Sequence, residues 1–160
     1  MGSGSKRTVL VVDDDAGVRQ LCRLHLEQAD FRVVEAADGD EALELVRADP
    51  PDVILLDILM PRLSGWHVAA DIVNDRSTDQ IPIIFLSVLT QRHERLRAFR
   101  LGAVGYLPKP FDPHALAPTV SALLDEIERG ERSAVVAENI EKLQAELGRP
   151  GRVLSAEDEK

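Results

Sequence analysis

The sequence is poor in cysteine, in long apolar runs and in positive charge. Cys22 is the only cysteine, so no disulfide forms within the chain and a reducing compartment, the cytoplasm, is expected. Apolar runs such as Val53–Leu56 fall far short of the roughly 18 residues that a membrane span needs. The 28 acidic residues outnumber the 19 basic ones, which argues against a broad basic surface for nucleic acid or anionic lipid. If the protein acts on nucleic acid or lipid, something other than its own surface charge must bring it to that target.

What is present is enough material for one globular domain. The 160 residues fall within the range of about 100 to 200 that is common for a single domain. Hydrophobic residues make up 44% of the chain and charged residues 29%, which is typical of a soluble globular protein. No secretory signal is evident, and we interpret residues 1–5, Met1-Gly2-Ser3-Gly4-Ser5, as an expression tag outside the fold.

Five short apolar runs alternate with longer amphipathic stretches. The runs are Val9–Val12, Phe31–Val34, Val53–Leu56, Ile83–Leu86 and Val104–Leu107. This alternation predicts a parallel sheet covered by helices on both faces, because right-handed crossovers connect parallel strands. The second and fifth runs are interrupted by polar residues or glycine, so we expect them at the edges. The pattern favours an α/β, doubly wound five-stranded parallel sheet of order 2-1-3-4-5, a flavodoxin-like (βα)5 fold.

Helix-start signals lie between the runs. Asp38 with Glu41 three residues later forms a capping box, and a proline follows Asp112 at the first helical position. The remaining candidate N-caps are Ser64 and Thr90. These signals predict a helix after each of the second to fifth strands.

A second apolar stripe begins after the fifth predicted helix, out of phase with it. It consists of Val136, Ile140, Leu143 and Leu147. The stripe predicts an extra C-terminal helix at about 134–147, which must pack on something because an isolated helix this short is marginal. Its expected N-cap is Ser133, and its expected stop signals are Gly148 and Pro150. We therefore divide the chain into a main domain, 6–129, and a C-terminal helix with a disordered tail, 130–160.

Acidic side chains follow two strands that are neighbours in the predicted sheet. Asp13, Asp14 and Asp15 come directly after the first run, and Asp57 directly after the third. Ligands of doubly wound sheets bind beyond the carboxyl ends of the strands, so we expect these groups to converge. Converging carboxylates repel one another unless a cation lies among them, and their oxygens suit Mg²⁺. The alternative is that the triplet only caps the first helix, which we expect of Asp15 in either case.

A hydroxyl and an ammonium group follow the fourth and fifth runs. Ser87 ends the fourth run and Lys109 follows the fifth. Each alone is typical of an ordinary turn or surface residue. At one edge of the sheet, however, they would supply a hydrogen-bond donor and a point charge to an anion formed on a central carboxylate. The order of these groups along the chain favours this functional interpretation.

With these motifs the sequence resembles the receiver domain of bacterial two-component response regulators, the CheY-like family. The resemblance covers residues 8 to about 129. The motifs that carry it are Val11-Val12-Asp13-Asp14, Leu55-Leu56-Asp57 with Met60-Pro61 and Gly65, Leu86-Ser87, and the run from Gly102 to Phe111.

The resemblance implies a metal site and a phosphorylation site. Asp57 would be the phosphoacceptor, and Asp13 and Asp14 would hold Mg²⁺ with it. The backbone carbonyl of Leu59 would be a further metal ligand. Lys109 would pair with the phosphoryl oxygens, with a cis bond to the proline after it.

The resemblance also implies a switch. Ser87 and Tyr106 would form the switch pair, with the hydroxyl drawn to the phosphoryl group and the aromatic ring turning inward. The phosphoryl donor would be a phosphohistidine on a sensor histidine kinase or phosphotransfer protein. The output would be a downstream protein contact through the face of the fourth helix, fifth strand and fifth helix. The domain would catalyse only its own phosphorylation and dephosphorylation, so it is not expected to be a classical enzyme.

Other functions compete with this one. The main alternative is that the chain is the receiver part of a longer regulator whose DNA-binding or enzymatic effector is absent, with the Val136–Leu147 stripe as a dimerising signalling helix. A homodimer could also form through the fourth-helix to fifth-helix face, and no direct contact with nucleic acid or membrane is expected. A receiver that binds partners without phosphorylation, and a Mg²⁺-dependent phosphohydrolase, are weaker alternatives.

Three apolar residues depart from the commonest family pattern. Val88 stands where a small residue usually follows the switch hydroxyl and would narrow access to Asp57. Leu59 and Leu89 lie two places after the phosphoacceptor and the switch serine. We hypothesise that these leucines shield the acyl phosphate from water and give a long-lived phosphorylated form.

The remaining candidate residues have simpler interpretations. We expect Cys22 to pack in the core beside Val18 and Leu21 rather than to act as a redox sensor. Trp66, at the start of the third helix, is either a partner contact or a partly buried packing residue. The four histidines share no spacing typical of a metal site; they are His25, His67, His93 and His114.

Overall fold

The computed structural model describes residues 6–89 and 91–147, which contain a five-stranded parallel sheet and six helices. The strands are β1 (Thr8–Val12), β2 (Arg32–Ala36), β3 (Val53–Asp57), β4 (Ile83–Ser87) and β5 (Gly105–Pro108). The helices are α1 (Ala16–Gln28), α2 (Gly39–Ala48), α3 (Gly65–Val73), α4 (Arg92–Leu101), α5 (Pro113–Glu128) and α6 (Arg132–Leu147). The strand order is β2-β1-β3-β4-β5, which confirms the predicted doubly wound topology.

The sheet separates two layers of core. Side chains alternate between faces along a strand, so neighbouring residues enter different layers. Leu56 and Phe85 pack in the layer that α2 and α3 cover, whereas Leu55 and Leu86 pack in the layer under α1 and α5. Every residue of β3 and β4 is buried, while β2 and β5 are partly exposed. The predicted central and edge strands are therefore confirmed.

Two of the predicted helix starts show the expected side-chain caps. The Asp38 carboxylate accepts a hydrogen bond from the Glu41 amide at 2.8 Å. The Glu41 carboxylate accepts from the amide of Ala37, one residue before the position that a standard capping box uses. At α5 the Asp112 carboxylate accepts from the His114 amide at 3.0 Å. Both helix N-termini thus have backbone donors satisfied by the predicted acidic residues.

The other two candidate N-caps differ from the prediction. Ser64 precedes α3, but no side-chain cap forms, and its hydroxyl lies 3.0 Å from the His67 ring nitrogen Nδ1. Thr90 lies outside the described residues, and Gln91 is the N-cap residue of α4. Ser64 therefore holds the predicted N-cap position of α3 without a capping bond, whereas α4 begins one residue later than a cap at Thr90 would place it.

The extra C-terminal helix is present and starts earlier than predicted. Ser133 lies inside the first turn of α6, so its assignment as N-cap is wrong. The Val135 amide donates to the Glu131 carbonyl at 2.9 Å, so Glu131 immediately precedes the helix and α6 starts at Arg132. That arginine donates to the Gln80 carbonyl at 2.6 Å, a contact far along the chain that a local pattern does not contain. The predicted tag, the stop signals Gly148 and Pro150, and the predicted disordered tail lie outside the described residues.

Helix α1 buries a slightly different stripe from the one predicted. Cys22 is fully buried and Val18 packs partly against the same cluster, as expected. Leu21, however, is 37% exposed, so its assignment to the buried face is wrong. The buried stripe runs through Cys22 and Leu26 instead, because α5 packs on that side of α1. No helix in the described ranges is long and apolar enough to cross a membrane.

Candidate functional site

Three carboxylates converge at the carboxyl ends of β1 and β3. The two strands are paired so that Val12 lies opposite Leu56, which brings the residues that follow them side by side. Asp13, Asp14 and Asp57 each offer a carboxylate oxygen, and these oxygens lie within 4.8 Å of one another. Asp13 is fully buried and Asp57 is 4% exposed, whereas Asp14 faces solvent. The cluster predicted from the strand ends is present.

Lys109 reaches the same cluster from the end of β5. Its Nζ lies 2.6 Å from a carboxylate oxygen of Asp13 and 3.4 Å from one of Asp57. The lysine backbone is fixed too, because its amide donates to the Ser87 carbonyl at 2.8 Å. The bond between Lys109 and Pro110 is cis, as the resemblance implies. The ammonium group is therefore held between two acidic side chains.

The charges of the cluster do not balance. Burial, followed by the nearby charge of Asp13, raises the pKa of Asp57 to about 6, although Lys109 acts in the opposite direction. Burial lowers the pKa of Lys109, but its hydrogen bond to Asp13 and the charge of Asp57 raise it by more, so the lysine stays protonated. Three carboxylates face one ammonium group. Their oxygens are hard donors with an excess of negative charge, which fits a divalent cation such as Mg²⁺.

The alternative interpretation of the acidic triplet applies only to Asp15. Its carboxylate accepts a hydrogen bond from the Gly17 amide at 2.8 Å and caps α1. Asp13 accepts from the amide of Asp15 at 2.9 Å while its other oxygen faces Lys109. Asp15 thus caps α1, whereas Asp13 and Asp14 belong to the acidic cluster.

The hydroxyl groups of Ser87 and Tyr106 meet at one residue of the loop after β4. The fully buried Ser87 accepts a hydrogen bond from the Leu89 amide at 3.1 Å. The half-buried Tyr106 donates its phenolic proton to the carbonyl of that same leucine. Burial raises the pKa of Tyr106, so the phenol remains a donor. Leu89 therefore links the two residues that the resemblance assigns to the switch.

The comparison with known protein families agrees with this geometry. A family model described as the response regulator receiver domain matches residues 9–121. The chain belongs to the response regulator receiver family. The acidic cluster at the ends of β1 and β3 therefore fits a receiver metal site.

Relatives of this receiver domain include longer regulators. It is 40% identical over 120 residues to the probable transcriptional regulator ycf27 of Guillardia theta, covering 75% of this chain and 46% of that protein. It is 43% identical over 117 residues to the response regulator MprA of Mycolicibacterium vanbaalenii, covering 72% of this chain and 49% of that protein. The chain thus spans about half the length of these relatives.

Solved receiver structures share the fold. The chemotaxis protein CheY4 of Vibrio cholerae is 32% identical with a TM-score of 0.70, and the match covers 74% of this chain and 98% of CheY4. The HemR receiver domain of Leptospira biflexa is 33% identical with a TM-score of 0.69, covering 74% of this chain and 94% of that domain. Both matches leave about a quarter of this chain uncovered.

A glycine brings α3 close to the backbone of Asp57. A Cβ atom at Gly65 would lie 2.2 Å from the backbone carbonyl oxygen of Asp57, far inside van der Waals contact. The Gly65 amide donates to the carbonyl of Ile58 at 2.8 Å, which closes the loop after β3. The sequence presented this glycine only as part of a motif. The structure shows that its missing side chain permits the loop that carries the site.

The three apolar residues that depart from the commonest family pattern differ in their exposure to solvent. Leu59 is 52% exposed and Val88 is 58% exposed. Leu89 is partly buried and packs against the core. The shielding hypothesis for these leucines, and the role of the Leu59 carbonyl as a metal ligand, stay predictions.

An aromatic row beside the site was missed by sequence reasoning. The ring centroids of Trp66 and Phe85 lie 5.0 Å apart, and those of Phe85 and Tyr106 lie 6.4 Å apart. The guanidinium of Arg97 lies 4.2 Å above the Trp66 ring. Trp66 packs partly buried against the core, which agrees with one of its two interpretations. The row joins α3, β4 and β5, and no local spacing connects these residues.

Two of the histidines contact each other although they lie far apart in the sequence. The His25 and His114 rings meet edge to face with centroids 5.0 Å apart, joining α1 to the start of α5. Within the described residues, the only group of three or more potential ligands that could hold a metal is the aspartate cluster.

Proposed function

We propose that this receiver is a phosphorylation-operated signalling switch with Asp57 as the phosphoacceptor. The observation that carries the proposal is the position of this carboxylate, nearly buried, between Lys109 and the oxygens of Asp13 and Asp14. A phosphoryl group on that carboxylate would lie next to the Lys109 ammonium group and next to the carboxylate oxygens that would hold a cation. The donor is a phosphohistidine on a partner histidine kinase or phosphotransfer protein. We place this exchange in the cytoplasm.

The chemistry uses Asp57 as a nucleophile. Its carboxylate oxygen attacks phosphorus, the phosphorus–nitrogen bond of the phosphohistidine breaks, and an acyl phosphate forms while the imidazole leaves. Lys109 offsets negative charge on the phosphoryl oxygens and stays protonated throughout. Mg²⁺ held by Asp13, Asp14 and Asp57, with the Leu59 carbonyl as a further ligand, would neutralise the developing charge. Hydrolysis of the acyl phosphate resets the switch, so the protein turns over only its own modification.

Phosphorylation changes the outer surface through Ser87 and Tyr106. The Ser87 hydroxyl turns toward the phosphoryl group, and the Tyr106 ring moves inward. This shift between two packings alters the face formed by α4, β5 and α5, which contacts a downstream protein. A homodimer through this face is one form that such a contact can take.

Mass measurement tests the proposed phosphoacceptor. Incubation with Mg²⁺ and a small phosphodonor such as acetyl phosphate is expected to add one phosphoryl group to the wild type and none to Asp57→Asn. Asp71→Asn, which changes an exposed carboxylate on α3, is the matched control and should be modified like the wild type. A wild type that remains unmodified would favour a receiver that binds partners without phosphorylation.

A second candidate is that the chain is the receiver part of a longer regulator. The chain covers only about half of relatives whose names describe transcriptional regulators. In that case we propose that the receiver domain, 6–129, controls a separate effector, and that nucleic acid contacts belong to that effector. The helical segment within 130–160 would then connect the two or pair with its twin. The full reading frame, and sedimentation with and without residues 130–160, distinguish this candidate from a stand-alone switch.

A further inference from the structure

Helix α6 lies antiparallel along α4 and is anchored at both ends. At its start, the Arg132 guanidinium donates to the Gln80 carbonyl at 2.6 Å. Near its end, the Glu146 carboxylate lies 3.1 Å from the Arg92 guanidinium, at the first turn of α4. Helix α6, which lies outside the residues 9–121 that the family model matches, is therefore packed on the receiver in a defined place.

Between the two anchors, α6 completes a small apolar cluster, which we call the α4–α6 cluster. Leu96, Phe99 and Leu143 are its buried members, each 6% exposed. Tyr106 and Ile140 pack against them. The cluster therefore joins α4, α6 and the proposed switch residue on β5.

Charge also matches α6 to α4. Helix α4 carries four arginines in ten residues, whereas the chain as a whole has a net charge of −9. The arginines are Arg92, Arg95, Arg97 and Arg100. Helix α6 carries three glutamates, Glu138, Glu141 and Glu146. The glutamates outnumber the two cations of α6, Arg132 and Lys142, and the ion pair between Arg92 and Glu146 lies in the contact with the basic α4.

A continuous series of contacts connects this cover to the acidic site. Ser87 accepts a hydrogen bond from the Leu89 amide, and the Leu89 carbonyl accepts one from the Tyr106 hydroxyl. The Tyr106 ring then packs against the α4–α6 cluster on one side and the main core on the other. If Ser87 turns toward a phosphoryl group, it gives up the Leu89 amide. If Tyr106 turns inward, it gives up the Leu89 carbonyl and withdraws from α6.

We propose that α6 is a phosphorylation-sensitive cover of the α4 face, docked before Asp57 is phosphorylated and released afterwards. The inference rests on the proposed function, because it needs Ser87 and Tyr106 to respond to the phosphoryl group. Release uncovers an apolar and basic surface on α4. Because coupling between two sites is reciprocal, weakening the α6 contact must also favour the phosphorylated form.

Hydrogen exchange measures the cover directly. A free helix of this length is marginal, so released α6 amides exchange faster than docked ones. We expect the peptide 132–146 to exchange about fivefold faster or more when Mg²⁺ and beryllofluoride, a phosphoryl mimic, bind to the wild type. Asp57→Asn should show no change.

Fluorine NMR of bound beryllofluoride separates the possible failures. If beryllofluoride binds and hydrogen exchange in 132–146 stays the same, the proposed release of α6 is wrong while the proposed function stands. If no beryllofluoride binds, the proposed function fails and the cover with it. Protection of 132–146 that depends on protein concentration would mean that α6 from a second copy occupies the α4 face, and would overturn the intramolecular cover.

A matched pair of α6 variants tests whether weakening the contact of α6 with α4 strengthens beryllofluoride binding at the acidic site. Leu143→Ala removes a buried contact of the α4–α6 cluster, whereas Gln144→Ala changes an exposed neighbour on the same helix. We expect Leu143→Ala to speed exchange in 132–146 without ligand and to raise the affinity for beryllofluoride by about fivefold. Gln144→Ala should change neither. Faster exchange in Leu143→Ala with unchanged affinity would show that the helix is docked but uncoupled from the site, and would overturn the proposal.

Discussion

Replacing Asp57 by asparagine is expected to stabilise the metal-free protein, although it abolishes the proposed phosphoacceptor. The carboxylate is 4% exposed and faces the charge of Asp13, and burial with that charge raises its pKa from the ordinary 3.8 to about 6. At about 1.4 kcal/mol per pH unit, ionising this carboxyl costs the folded state about 3 kcal/mol. This cost already includes the opposing effect of the 3.4 Å contact with Lys109, so the amide should recover most of it. We therefore expect a net gain of about 2–3 kcal/mol in the free energy of unfolding.

The size of the effect depends on pH. Because the folded carboxyl has the higher pKa, its destabilising effect is absent below about pH 4, where it is protonated in both the folded and unfolded states. The effect grows between about pH 4 and pH 6 and is complete above that range. The advantage of Asp57→Asn should follow the same course. Wild-type protein should gain more stability from Mg²⁺ than the variant, because the variant lacks one ligand charge.

Urea denaturation in EDTA measures this effect, and the fluorescence of Trp66, the only tryptophan, is a convenient probe. The unfolding free energies of wild type and Asp57→Asn are compared at pH 7.5 and at pH 4. Asp71→Asn, an exposed carboxylate on α3, should stay within about 0.5 kcal/mol of wild type at both pH values. An Asp57→Asn variant that is no more stable than wild type at pH 7.5 without metal would refute the electrostatic account of the cluster.

Three further predictions follow from particular contacts. In a urea titration, Gly65→Ala should lower the free energy of unfolding by about 2 kcal/mol or more, because the new Cβ meets a backbone carbonyl. Gly102→Ala has open space at its Cβ but a positive φ, so it should lower the free energy of unfolding by only about 1 kcal/mol. Burial raises the pKa of Cys22 from 9.0 to about 12, so iodoacetamide at pH 8 should label the native thiol about a thousandfold more slowly than the unfolded one; equal rates would contradict its packing role. Leu59→Asn combined with Leu89→Glu should speed loss of the acyl phosphate, and unchanged phosphate release would discard the shielding hypothesis.

The sheet and its acidic site could be predicted because they depend on local patterns. Each strand is a short apolar run, and parallel pairing brings the residues after these runs to one edge. Asp13, Asp57 and Lys109 therefore converge for a reason that is visible in the sequence. The close approach of Gly65 could not be read there, since it depends on how the loop after β3 returns to the backbone of Asp57 and Ile58.

What sequence reasoning missed involves contacts between distant elements. The stripe predicts helix α6, but its position on α4 depends on contacts between residues far apart in the chain, such as Arg92 and Glu146, which are 54 positions apart. Its start was wrong because Arg132 is fixed by a carbonyl from another part of the chain. Leu21 was assigned to the wrong side of α1 because the position of α5 decides which stripe is buried. Periodicity identifies a helix, but tertiary packing selects its buried face and its exact ends.

The proposed switch depends on Mg²⁺-dependent phosphorylation of Asp57. Mapping the phosphoryl group by peptide mass spectrometry, after incubation with Mg²⁺ and acetyl phosphate, tests it most directly. We predict a single modification on the peptide that contains Asp57, which EDTA prevents and Asp57→Asn abolishes. A phosphoryl group on another residue, or one that forms equally in EDTA, would contradict the account.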